Sequence, residues 1–192
     1  PDCDRLGISI PDDKGNYINL TGNQIGALLV DYMLSRLKDK NKLPDNGVII
    51  KTIVTSELGR DIASSYGIRT IDTLTGFKYI GDKINEYEHF SSYTFLFGYE
   101  ESYGFLAGTF VRDKDAVIAS TLACEMGAYY KSTGMSIYQA LSNIYKKYGY
   151  YSEALKYISL DGKEGSKLTG KVMSNLRLRP PAKLGIENVV DV

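Results

Sequence analysis

Two adjacent carboxylates and a hydroxyl stand between two glycines in Gly98-Tyr-Glu-Glu-Ser-Tyr-Gly104, directly after the apolar run Tyr93-Thr-Phe-Leu-Phe97. A strand ending in such a loop presents its polar groups at the edge of a sheet. Glycine at either end permits positive φ or a close approach of backbone to ligand. On an extended backbone successive side chains diverge, so Glu100 and Glu101 cannot both point the same way. One of them is expected to face a ligand and the other to support it. An acceptor beside a group that both donates and accepts is what the vicinal hydroxyls of a sugar need. The alternative is a solvated turn after a buried strand.

A second chemical cluster opens the chain. In Pro1-Asp-Cys-Asp-Arg5 the two aspartates are spaced i, i+2, so on an extended or turning loop both reach one side. Oxygen ligands gather in this way around a hard cation such as Mg²⁺, and Arg5 beside them suits a bidentate phosphate contact. An EF-hand reading places leucine at a ligand position and lacks the closing glutamate. A plain pair of turn aspartates is the other reading. Lys78, in the first turn of an expected helix, opposes the helix dipole, which points to an anion facing it or to a solvated lysine on an exposed face. His89 lies in the polar stretch Glu86-Tyr-Glu-His89 and reads as a surface residue. No Walker loop and no GxGxxG follows any expected strand.

The elements that would hold these groups are legible from periodicity. Thr21-Gly-Asn-Gln24 is a capping box opening a helix to about Lys40, with Ile25, Leu28, Leu29, Tyr32, Met33 and Leu37 on one stripe. The β-branched run Val48 to Thr55 predicts a strand buried on both faces. A short helix capped by Ser56 follows, then a strand over Arg69–Thr73, then a helix to about Tyr87, and then the strand Tyr93–Phe97. This β-α-β-α-β series predicts an α/β fold, a three-layer α/β/α domain with a mixed, mostly parallel sheet of about four strands and ligands at their carboxyl ends. Phe105–Val111 is expected to return as a strand, antiparallel in one arrangement. Helices over Ala116–Lys131 and from the capping box Ser136-Ile-Tyr-Gln139 are expected to cover the sheet, their tyrosines packing. A further strand is expected over Tyr151–Leu160, a helix over Ser166–Arg177, and the start of a strand at Ile186.

With 192 residues the chain is long enough for a real core. Lysine plus arginine and aspartate plus glutamate both number 23, so no global field recruits nucleic acid or an acidic membrane surface, and phosphate recognition has to be local. Cys3 and Cys124 form no short-range motif, which suits a reducing compartment. No apolar run approaches the roughly 20 residues that span a bilayer. A cytoplasmic protein, acting without nucleic acid or membrane, is the expectation. The opening without methionine or element signal reads as a piece of something longer.

Four stretches taken together, Pro1-Asp-Cys-Asp-Arg5, Thr73-Leu-Thr-Gly-Phe-Lys78, Gly98 to Gly104 and Phe110-Val-Arg-Asp-Lys-Asp-Ala116, resemble the α-D-phosphohexomutases, most closely the long bacterial phosphoglucomutase branch. The resemblance implies a phosphoryl shuttle between glucose 1-phosphate and glucose 6-phosphate through a phosphoserine and a bisphosphate intermediate. It implies that Asp2 and Asp4 belong to an Mg²⁺ loop whose first aspartate precedes Pro1, with Arg5 its arginine. It also implies that Glu100 and Ser102 bind the hexose hydroxyls, that Lys78 lies near the substrate, and that Arg112 and Lys114 are a substrate-binding basic pair. Tyr99 stands before Glu100 where many members have glycine, which alters the expected path of the loop. On this reading residues 1–20 end a preceding domain, 21–160 form the sugar-binding domain, and 161–192 are a linker and the start of a following domain. The partners are then a hexose phosphate and the missing domains of a parent enzyme. The phosphoserine stretch Thr-Ala-Ser-His-Asn does not occur, so this piece is expected to be inactive alone. A phosphomannomutase of the same family, a non-catalytic sugar-binding module and an Asp-x-Asp phosphatase are the alternatives.

Overall fold

The computed structural model describes residues 2–153, 159–185 and 187–189. The chain divides into two compact units, Pro1–Ser152 and Glu153–Val192.

The first unit is built on a four-stranded sheet in the order β4 (Arg69–Thr73), β3 (Gly47–Thr52), β5 (Thr94–Tyr99), β6 (Phe105–Ala107). β3 pairs in parallel with β4 and β5, and β6 returns antiparallel to β5. The expected mixed, mostly parallel sheet is what forms. Every residue of β3 is buried, as its β-branched composition requires of a central strand covered on both faces. Its alternation sorts the two cores. Ile49 packs in the layer of α1 (Gly22–Asp39), α2 (Leu58–Ser65), α4 (Ala116–Ser132) and α5 (Ile137–Tyr148), while Val48 and Ile50 pack against α3 (Phe77–Phe90) on the other face.

Local chemistry sets the helix ends. Thr21 and Ser136 each cap with the hydroxyl on the backbone N–H of Gln24 or Gln139, whose side chains reach back, so both expected capping boxes are present. Asp115 caps α4 through Val117 and Ile118. A small hairpin, β1 (Ser9–Pro11) with β2 (Tyr17–Asn19), closes through the Asp12 turn. β2 carries no strand signal in the sequence beyond its neighbour and is found only by pairing.

Several boundaries differ from those the periodicity predicts. β5 runs to Tyr99, so Gly98 lies inside the strand and the loop is only residues 100–104. β6 ends at Ala107, short of Val111. Tyr151–Ser152–Glu153 and Ser159–Leu160 are not strand, and residues 154–158 of that expectation lie outside the described residues. In the second unit α6 spans Gly162–Leu178, longer than expected, and β7 (Lys183–Leu184) pairs antiparallel with β8 (Glu187–Asn188); the remainder of the expected terminal strand lies outside the described residues. Among the described residues no helix is long and apolar enough to cross a membrane.

Candidate functional site at the carboxyl edge of the sheet

Tyr99 fixes where the loop begins. Its ring lies against α1 and its hydroxyl against α2, at positions where both helices carry glycine. A Cβ on Gly26 would stand 2.4 Å from the ring, and one on Gly59 would stand 1.9 Å from the hydroxyl oxygen. Gly22, in the first turn of α1, lets the helix abut the loop, since a Cβ there would meet the Glu101 carbonyl oxygen at 2.1 Å. The flanking glycines of the loop also serve close packing. A Cβ on Gly98 would press Ile80 of α3 at 2.8 Å, and one on Gly104 would meet Lys114 at 2.8 Å and the Glu100 carboxylate at 2.9 Å. The positive φ falls instead on Tyr103, at 71°. The loop closes with the Glu100 N–H donating to the Gly104 carbonyl over 2.9 Å.

The two glutamates diverge. Glu101 turns inward to the β3–α2 connection, where its Oε2 accepts from Thr52 Oγ1 at 3.2 Å and Thr55 Oγ1 at 3.1 Å. Glu100 is 5% exposed, and its Oε1 accepts the Gly76 N–H at 3.2 Å, which ties the loop to the residue before α3. Burial pushes the Glu100 carboxyl above the ordinary glutamate range, against the Gly76 hydrogen bond and the nearby Lys114 and Arg5 charges. Ser102 is half-exposed, and among the described residues its hydroxyl has no hydrogen-bond partner.

The N-terminal segment lies alongside. Arg5 bridges to Gly104, the Leu6 N–H donates to the Tyr103 carbonyl at 3.1 Å, and the Ala116 N–H donates to the Cys3 carbonyl at 3.0 Å. Asp4 thereby meets Lys114, Oδ2 to Nζ 3.1 Å, and that hydrogen bond holds its carboxyl below the usual range. Lys114 loses hydration by burial, but Asp4 and Asp113 outweigh this and raise its pKa. The fold thus gathers Asp4, Arg5, Glu100 and Lys114, residues from distant stretches of sequence. Lys78 is exposed, its ammonium 4.9 Å from the Tyr79 ring centre, and among the described residues it forms no ion pair. Arg112 points to α3, bonding Glu88 and the Thr109 carbonyl. The Asp2 side chain lies within hydrogen-bonding reach of Asp4, so two carboxylates stand together; among the described residues no group of three acidic, histidine or cysteine side chains gathers.

Five residues of this region were not singled out from the sequence. Lys51, at the end of β3, is fully buried and contacts Glu57 at 2.7 Å and Asp72 at 3.1 Å, while Arg60 pairs with the same two carboxylates. Thr52, Thr55 and Gly76 support the glutamates. The available signal was a lysine inside a β-branched run.

A three-layer domain with a polar loop at the carboxyl ends of parallel strands belongs to the α/β class that binds ligands at that edge. Residues 21–148 match the family described as phosphoglucomutase/phosphomannomutase, alpha/beta/alpha domain III. The chain belongs to this family. It is 38% identical over 185 residues to a phosphoglucomutase of Staphylococcus epidermidis, covering 96% of this chain and 33% of the relative. The chain therefore spans about a third of the length of the curated relatives it matches. Among solved structures, the fold matches Paramecium pp63/parafusin, a phosphoglucomutase, with TM-score 0.61 at 19% identity, covering 99% of this chain and 32% of that one. It also matches Aspergillus fumigatus N-acetylphosphoglucosamine mutase, solved with GlcNAc-6P and magnesium, with TM-score 0.52 at 13% identity, covering 77% and 31%.

Proposed function

We propose that this chain supplies the sugar-recognising domain of a phosphoglucomutase, which interconverts glucose 1-phosphate and glucose 6-phosphate through a phosphoserine and a bisphosphate intermediate. The observation that carries this reading is the convergence of Glu100 with Asp4, Arg5 and Lys114 at the carboxyl edge of the sheet. Glu100 accepts hydrogen bonds from two hexose hydroxyls, and the Ser102 hydroxyl supplies a neighbouring donor or acceptor. The Gly76 N–H holds the carboxylate in place before substrate arrives, so little ordering is needed on binding. Lys114, Arg5 and Lys78 offer positive charge to the substrate phosphate. Arg112 would have to leave its exposed pair with Glu88 to join them, a cost of about 0–1 kcal/mol.

Asp2 and Asp4 fit one side of an Mg²⁺ shell, because Lys114 keeps Asp4 ionised and Mg²⁺ takes one or two carboxylates with waters and phosphate completing the octahedron. When bound, the ion would neutralise charge on the transferred phosphoryl group. The Aspergillus relative's complex with GlcNAc-6P and magnesium favours the same substrate class and the same metal. Without the remaining two thirds of the relatives' length, these 192 residues are expected to recognise sugar but to be inactive alone.

The test is the Glu100→Ala variant of the intact protein carrying this chain. Loss of a buried, charged hydrogen bond is expected to lower kcat/KM for glucose 1-phosphate by about 2–4 kcal/mol in transition-state free energy. Unchanged kinetics removes Glu100 from the site. Turnover by the 192-residue chain alone overturns its inertness.

A further inference from the structure

The sugar-binding reading leaves unexplained why a lysine sits at zero exposure at the end of the central strand. An ammonium without water needs its hydrogens satisfied. Lys51 Nζ donates to the Thr55 carbonyl at 3.0 Å and to Glu57 at 2.7 Å, reaches Asp72 at 3.1 Å, and has the Thr52 carbonyl at 3.4 Å. Two of those partners are backbone carbonyls, that of Thr52 at the end of β3 and that of Thr55 in the β3–α2 connection, so the charge is used to shape the exit from the strand. From the α1 side the Asn23 Oδ1 accepts the Ser56 N–H at 3.1 Å, gripping the same connection.

The connection in turn grips the sugar loop. Thr55 Oγ1 accepts the Glu101 N–H at 3.2 Å and lies 3.1 Å from Glu101 Oε2; Thr52 Oγ1 lies 3.2 Å from the same oxygen, and the two hydroxyls are 2.7 Å apart. Both threonines are buried, so their hydroxyls are shielded, while Glu101 is part-exposed. Glu101 lies between Glu100 and Ser102 in the chain. Fixing its backbone N–H and its carboxylate therefore fixes the directions of its two neighbours.

We infer that Lys51 and Thr55 are positioning residues for the Glu100–Ser102 loop, acting on substrate through Glu101 without touching it. The inference rests on the sugar-binding reading of that loop. Two bulky apolar side chains on the same connection, Ile53 and Val54, are exposed, so the connection is not held by burial of its own tip. Its start is tied to β4 by the Ile53 N–H donating to the Thr73 carbonyl at 2.9 Å, and beyond that point the lysine, Asn23 and the threonine hydroxyls hold it.

The test uses four variants of the intact protein. Thr55→Val keeps shape and removes the hydroxyl; it is expected to lower kcat/KM for glucose 1-phosphate roughly ten- to a hundredfold, the cost of a lost hydrogen bond to a charged group. Thr55→Ser, which keeps the hydroxyl, is expected to restore most of that loss, an outcome that a role in packing alone would reverse. Amide hydrogen exchange of the peptide spanning residues 99–104 is expected to quicken in Thr55→Val and in Lys51→Met, and to remain slow in Thr55→Ser. If Glu100→Ala is impaired while Thr55→Val turns over and exchanges like the parent, the positioning role is overturned and the sugar site stands. If neither variant is impaired, the sugar-binding reading itself has failed.

Discussion

The two polar loops at the carboxyl edge of the sheet use their charges in opposite ways. After β3, Lys51, Glu57, Asp72 and Arg60 are bound to one another and to backbone carbonyls, with the lysine fully buried. After β5, Glu100 has one carboxylate oxygen held by a single backbone N–H, and the half-exposed Ser102 hydroxyl is without a partner among the described residues. The charges around the end of β3 are directed mainly at one another and at the backbone, although Glu57 stays half exposed. The second loop leaves the half-exposed Ser102 hydroxyl open to a ligand, while Glu100 itself is buried. Identical side-chain chemistry is therefore scaffold in one place and recognition in the other, and the difference lies in what remains unsatisfied.

Four measurements would break or sharpen that contrast. The largest effect belongs to the scaffold loop. The double variant Glu57→Gln, Asp72→Asn leaves the buried Lys51 charge uncompensated and is expected to cost about 3–5 kcal/mol in urea denaturation; a loss below ~1 kcal/mol would mean that the network does not carry the loop. Next is Gly59→Ala. In an ordinary helix interior this exchange gains up to about 1 kcal/mol. Here the added methyl strikes the Tyr99 hydroxyl, and a net loss of about 1–3 kcal/mol is expected.

Third is the pH dependence of the recognition loop. Because burial raises the Glu100 pKa in the fold, the native state binds more protons than the unfolded state. This contribution stabilises at pH below the ordinary glutamate value and is lost as pH rises through the folded pKa. Glu100→Gln removes the dependence, so its stability relative to the parent should improve as pH rises from about 4 toward neutrality. Urea midpoints across that range that keep a constant gap between the two proteins would show Glu100 to be as fully satisfied as the scaffold charges. The smallest effect is that of Arg112→Ala. Its pair with Glu88 is exposed on both sides, and the loss in stability should stay within about 1 kcal/mol. A larger loss would make Arg112 part of the scaffold rather than a cation free to be recruited.

The main helices, the β-α-β-α-β succession of a layered α/β fold and the existence of a carboxylate-hydroxyl loop were all readable from spacing. What escaped was the reason for particular residues. Gly98 and Gly104 suggested backbone freedom, yet both make room for neighbours, and the left-handed turn is taken by Tyr103. Lys51 passed as one residue of a buried strand, because its partners Glu57 and Asp72 come from a helix start and a neighbouring strand. Thr52 and Thr55 looked like ordinary β-branched strand residues until Glu101 was found against them. Arg112 and Lys114, two positions apart, looked equivalent; the turn before α4 sends one to Glu88 and the other to Asp4.

The sequence by itself determined the main helices and the core strands and their succession along the chain, since periodicity, capping boxes and β-branched runs act over a few neighbouring residues and need nothing distant. It also led to the expectation that Glu100 and Glu101 diverge, which they do, although both lie in the loop beyond the end of β5. Which partners hold each of the two was decided only by the tertiary structure. That depends on hydroxyls 46 and 49 residues away and on an N–H 24 residues away, brought to the same sheet edge by strand pairing.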